Sequence, residues 1–143
     1  MDTSFASRLA IPGQRNAEAK AIFEDGSSWS APWILRQEFF NAVRRLENRR
    51  IVDRAAADRA IAEFEQLGVH LIDQPKWIER ALATSRRFNQ SGIFDAIYLA
   101  CADDLGAELW TYDGSFVRSF GDRRPTNLRF APEDAPTYLR RSP

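Results

Sequence analysis

The sequence predicts an α/β fold of three layers, a short parallel sheet flanked by helices on both faces. Three observations predict it. Short apolar runs of strand character alternate with longer helical patterns along the chain. One of those helices is apolar on every side over residues 93–102 except at Asp95, which places it inside a core rather than on a surface. The 143 residues, 44% of them hydrophobic, suffice for one domain with a real core and leave little room for a second.

The same numbers exclude several function classes. Intrinsic disorder does not fit this hydrophobic content. A formal net charge of zero gives no bulk attraction for nucleic acid. Lys20 and Lys76 are the only lysines, so arginine supplies the other cations. Arginine makes the better bidentate phosphate contacts, although codon usage in a GC-rich genome explains the bias as well. The lone Cys101 excludes an internal disulfide and suits a small apolar filler in a reducing compartment. No apolar run approaches the roughly 18 residues that cross a membrane, and no signal-peptide pattern opens the chain. The expectation is a cytoplasmic protein without a membrane partner.

In chain order, residues 5–10 read as a short helix ended by Pro12-Gly13, and 16–25 as a second helix that Gly26 stops. Residues 28–31 form a strand around Trp29. The helix 33–50 follows, with an apolar stripe at Ile34, Leu35, Ala42, Val43 and Leu46. Glu38 falls within that stripe, and the arginine-rich end suits the helix C-terminus. Asp53 caps a helix through Leu67 that turns Ala57, Ala60, Ile61, Phe64 and Leu67 inward. A strand at 69–72 and a helix at 75–88 lead to the central helix, 93–105, capped by Ser91 and closed by Gly106 in the left-handed conformation. The strand 108–111 then delivers Asp113 at its carboxyl end, the place where open α/β sheets hold their ligands. Residues 115–120 make one or two helical turns and 128–130 an edge strand. The irregular tail from Ala131 carries Pro132, Pro136 and Pro143. The domain occupies 1–124, and 125–143 is its C-terminal tail.

Two carboxylates, Glu38 and Asp95, thus occupy positions that look buried, and a third, Asp113, ends a strand. Asp2 does the same if a strand precedes it. Acids converging there repel one another and raise their pKa values until a cation relieves the strain. An all-oxygen site of this kind suits Mg²⁺ or Mn²⁺, ions that activate water and steady charge on a phosphoryl oxygen. Phosphodiester hydrolysis needs this equipment without a histidine base or a serine nucleophile. Taken singly, each acid has a plainer use: Asp95 at a helix start, Glu38 at a stripe's edge, Asp113 in a turn before Gly114, Asp2 solvated at a terminus. His70 is structural or exposed. Arg44, Arg45, Arg86 and Arg87 suit RNA phosphates and solvated helix ends equally.

Four motifs stand in order: Asp2-Thr3-Ser4, Glu38 within 35–42, Asp95 within 94–100, and Thr111-Tyr112-Asp113. Together they resemble those of the PIN domain, and within it the VapC-type toxins of bacterial toxin–antitoxin pairs. The resemblance runs from Asp2 to about Phe120. It implies a metal-dependent endoribonuclease in which Asp2, Glu38, Asp95 and Asp113 hold Mg²⁺ or Mn²⁺. Thr111 would orient Asp113, and Thr3 or Ser4 would bond an acid or a phosphate. It also implies a homodimer, an RNA substrate and a cognate antitoxin whose C-terminal segment enters the acidic groove. The family pattern has four or five apolar residues before its first aspartate, and here only Met1 stands there. That departure points to a misassigned start or a truncated strand, the latter leaving Asp2 on a fraying terminus. The alternative function is a non-catalytic PIN-like scaffold that binds an antitoxin or RNA. A phosphoryl-transfer enzyme with an aspartate nucleophile is disfavoured, because no Asp-x-Asp follows a strand.

Overall fold

Asp2 starts the first helix, α1 (Thr3–Ala10), by accepting a hydrogen bond from the Phe5 amide. Asn16 caps α2 (Ala17–Glu24) in the same manner. Then come β1 (Ser30–Pro32), α3 (Ile34–Asn48), α4 (Arg54–Gln66) with Asp53 as its cap, β2 (His70–Ile72) and α5 (Lys76–Arg87). The central helix is α6 (Phe94–Leu105), followed by β3 (Leu109–Thr111), α7 (Gly114–Ser119), β4 (Leu128–Phe130) and α8 (Ala131–Asp134). This computed structural model describes residues 1–14, 16–25 and 28–136. Gly26, expected to stop the second helix, and the end of the tail with Pro143 lie outside the described residues.

The architecture is α/β with parallel strands, as predicted, but the sheet comes in two halves. β1 pairs in parallel with β2, and β3 in parallel with β4. Met1 and Asp2 lie between the halves. The Met1 nitrogen donates to the Ser30 carbonyl of β1 at 3.4 Å, and the Asp2 amide to the Trp110 carbonyl of β3 at 3.3 Å. The terminus therefore does not fray: Met1 and Asp2 are each only 4% exposed.

α6 fills the middle as its composition demanded, with every residue from Ala96 to Ala102 buried. Gly106 ends it at φ 59°, in the left-handed region where a side chain would be strained. Ser91 does not cap it. The helix begins after Ile93 without a side-chain hydrogen bond, so α6 is held by burial rather than by its first turn. On α3 the buried line is Leu35, Phe39 and Val43, one side chain per turn. Phe39 stacks on Phe64 of α4 at 4.3 Å, and of the buried line only Phe39 was absent from the stripe of Ile34, Leu35, Ala42, Val43 and Leu46. α1 packs beneath the strands through Phe5, whose ring lies 5.4 Å from Trp29 and 5.7 Å from Tyr112. The segment beyond Ala131 is not irregular at its start. It forms the short α8, and Arg124 bonds both the Leu128 carbonyl and the Asp134 carboxylate to fasten it. Leu128 and Ala131 belong to the core. No helix among the described residues is long and apolar enough to cross a membrane.

Candidate active site

The ends of α1, α3, α6 and β3 bring Asp2, Glu38, Asp95 and Asp113 to one cavity of about 250 Å³. The hydroxyls of Thr3, Ser4, Ser7 and Tyr98 complete its wall, and no lysine or arginine among the described residues lines it. The sequence therefore gathers its four predicted acids in one place. Their burial is the reverse of expectation. Asp2, the acid with the plainest solvated reading, is the buried one; Glu38 and Asp113 are half-buried, and Asp95 is exposed. Asp95 is exposed because it precedes the buried part of α6, which begins at Ala96.

Asp2 is held on every side. Ser4 Oγ donates to its Oδ1 at 2.8 Å, the Phe5 amide to the same oxygen at 2.9 Å, and Thr111 Oγ1 to Oδ2 at 2.5 Å. Burial raises its pKa, while the Thr111, Phe5 and Ser4 hydrogen bonds pull the other way. Thr111 does more than orient Asp113. Its single hydroxyl clamps the Asp2 carboxylate and accepts the Asp113 amide at 2.8 Å, so it ties the two acids together through one atom. Ser4 closes the same loop by accepting the Tyr112 amide at 2.8 Å. Asp113 Oδ1 caps α7, accepting from the Ser115 and Phe116 amides.

Glu38 has a partner that the sequence reading did not name. Its Oε2 accepts from Thr3 Oγ1 at 2.9 Å and from the Tyr98 hydroxyl, whose oxygen lies 2.8 Å from that of Thr3. Tyr98 is 1% exposed. Burial and then the Glu38 charge push its phenol pKa up, so it remains a donor. A signal existed: a tyrosine in an otherwise apolar helix must find a partner for its hydroxyl, and Tyr98 stands one turn after Asp95. Asp95 itself is raised to about 6, by partial burial first and then by the charges of Asp113, Asp2 and Glu38. Of the four acids, Asp95 is the one without a side-chain hydrogen bond among the described residues, and the neighbouring charges add there to the effect of burial.

The donor set is all oxygen and wholly anionic, which fits a hard divalent cation. Among the described residues, however, no three acids stand at the spacing of a finished metal cage. The wall of the cavity rather than a closed coordination shell is what brings them together. Thr111→Val is expected to destabilise the fold by about 1–3 kcal/mol in urea denaturation, because Asp2 and the Asp113 amide lose a buried partner. Thr111→Ser keeps the hydroxyl and is expected to recover most of that loss.

Comparison with protein families shows that the PIN domain matches residues 1–119. No match was found among curated proteins.

Proposed function

The chain belongs to the PIN domain family, a nuclease-type fold, and from that premise we propose that it is a metal-dependent endoribonuclease, the toxin of a type II toxin–antitoxin pair. The observation that carries this reading is the cavity that Asp2, Glu38, Asp95 and Asp113 share with no cation among its walls. These four residues would hold Mg²⁺ or Mn²⁺. Such an ion supplies Lewis acidity at a phosphoryl oxygen and lowers the pKa of water.

The chain's own residues have separable tasks. Asp2 and Asp113 are fixed relative to each other by Thr111, so one half of the acidic wall is preorganised. Thr3 and Tyr98 steer Glu38 from the other side. Asp95 makes no side-chain hydrogen bond among the described residues and would meet the cation from the start of α6. The hydroxyls of Ser4 and Ser7 sit where phosphate oxygens could be bonded. Partners in this reading are an RNA substrate, a cognate antitoxin and a second copy of the chain, in the cytoplasm.

A second reading, a scaffold that binds an antitoxin or RNA without cutting it, is favoured by two observations. Asp2 and Glu38 already spend oxygens on internal hydrogen bonds, and the acids do not form a finished cage among the described residues. Titrating Mg²⁺ and Mn²⁺ into the protein with total cellular RNA separates the two. The enzyme reading expects discrete cleavage products that appear with the ion and vanish on chelation. RNA left intact at every ion concentration supports the scaffold.

A further inference from the structure

An RNA strand that reaches the acidic cavity meets four carboxylates, and no lysine or arginine among the described residues lines that wall. The chain as a whole gives no compensating attraction, since its formal net charge is zero. The attraction has to come from cations that stand beside the cavity. We propose that Arg118, Arg123 and Arg87 form a track that holds the phosphodiester backbone of single-stranded RNA next to the acids. The inference rests on the nuclease reading for its substrate and names the residues that bind it.

The track follows α7, whose first turn Asp113 caps. Arg118 stands one turn later but folds back. Its Nη2 donates to Ser115 Oγ at 3.2 Å, and a Cβ placed on Gly114 would stand 2.8 Å from its Nη1. The guanidinium thus uses the space that a side chain at position 114 would take, one residue after Asp113. The six residues of α7 carry the chain about 9 Å onward. Beyond them Phe120 meets the Phe88 ring at 4.6 Å. Two guanidiniums share that ring, Arg87 Cζ at 5.3 Å and Arg123 Cζ at 4.9 Å from its centroid. Their charges therefore lie no more than about 10 Å apart, within one Debye length at 0.1 M salt. They act on the same stretch of backbone.

All three arginines are exposed. None forms an ion pair with a carboxylate among the described residues, whereas Arg124 and Arg129 are spent on Asp134 and Glu108. A ring contact holds an arginine in place without using its N–H donors, so the planar fork stays available for a bidentate phosphate contact. Keeping like charges together costs repulsion, and a bound polyanion removes that cost. A line of cations that ends at the carboxylates suits a backbone with one charge on every unit, which favours RNA over an acidic polypeptide.

The test is binding of a fluorescent oligouridine of about ten nucleotides, followed by anisotropy in EDTA so that no cleavage intervenes. It compares the parent protein, Arg87→Gln/Arg118→Gln/Arg123→Gln, the same three positions changed to lysine, and Arg49→Gln/Arg54→Gln/Arg59→Gln. The last variant removes equal charge at the end of α3 and on α4. Each phosphate contact to a single strand adds about 0.7 to the slope of log affinity against log salt. The glutamine track variant is expected to lose about 2 from the parent's slope and to bind at least about tenfold more weakly at low salt. The lysine variant keeps most of the slope, and the α3–α4 variant keeps slope and affinity. A parent that does not bind, equal losses in the track and α3–α4 variants, or equal losses with glutamine and lysine overturn the proposal. A loss seen with polyglutamate but not with oligouridine also overturns it, and assigns the surface to an acidic polypeptide. Failure of the nuclease reading looks different: oligouridine bound as expected in EDTA, yet left intact by the parent when Mg²⁺ or Mn²⁺ is supplied.

Discussion

Asp95→Asn is expected to reduce RNA cleavage by about 100-fold or more, the scale on which one preorganised charged group acts in a site, while the fold persists. The fold persists because Asp95 is exposed, lies before the buried stretch of α6 and makes no side-chain hydrogen bond among the described residues. Activity is lost because it is the acid left free to meet a cation, the other three being partly engaged by hydroxyls and amides. Stability should move in the opposite direction to activity. With its pKa raised from 3.8 to about 6, folded Asp95 keeps a proton that the unfolded chain has already released. Its contribution to folding is therefore full below the lower value and is lost as pH rises through the upper one. In the absence of divalent ions, Asp95→Asn should melt above the parent protein at about pH 7.5 and level with it near pH 4. Cleavage by the purified variant at the parental rate would remove Asp95 from the proposed machinery. A variant that melts below the parent at the higher pH would contradict the repulsion among the acids.

Phe5→Ala is the substitution with the largest expected effect on stability, about 3–5 kcal/mol. Phe5 is fully buried and lies against Trp29 before β1 and Tyr112 after β3. Its loss leaves a hole between Trp29 and Tyr112, and a domain of this size has only about 5–15 kcal/mol in total. The melting temperature should fall on the order of 10 °C. Phe5 also donates its amide to Asp2, so the variant is expected to loosen the acidic wall. Phe94→Ala is the control. That ring is 54% exposed beside Asp95, and its removal should change stability by no more than about 0.5 kcal/mol. Comparable losses in urea denaturation for the two variants would contradict the packing described.

How much of this was legible beforehand follows from the kind of signal each feature leaves. Helices with polar caps were readable to within a few residues, because Asp53 and Asn16 bond the backbone locally and no distant partner is required. α6 was readable because an all-apolar helix has few other places to go. The strands are three residues each, too short for periodicity to mark, and their flanks supplied the signal. The division of the sheet was not legible, since it depends on what lies between β1 and β3 rather than on either strand. At the site, four acids in order could be found, but not their burial. Asp2 is enclosed by Thr111, more than a hundred positions away, and Tyr98 reaches Glu38 across the gap between two helices. Hydrogen bonds between distant positions leave no local pattern.

Thermal unfolding with and without Mg²⁺ or Mn²⁺ near pH 7.5, on the parent protein and on Asp95→Asn, tests most directly whether these acids form one cation-seeking cup. At about 100 times the dissociation constant, an ion bound only to the folded state adds about 2.7 kcal/mol. The parent should then melt about 5–10 °C higher, and the variant by less than half as much. An equal rise in both proteins, or none in either, would contradict the account.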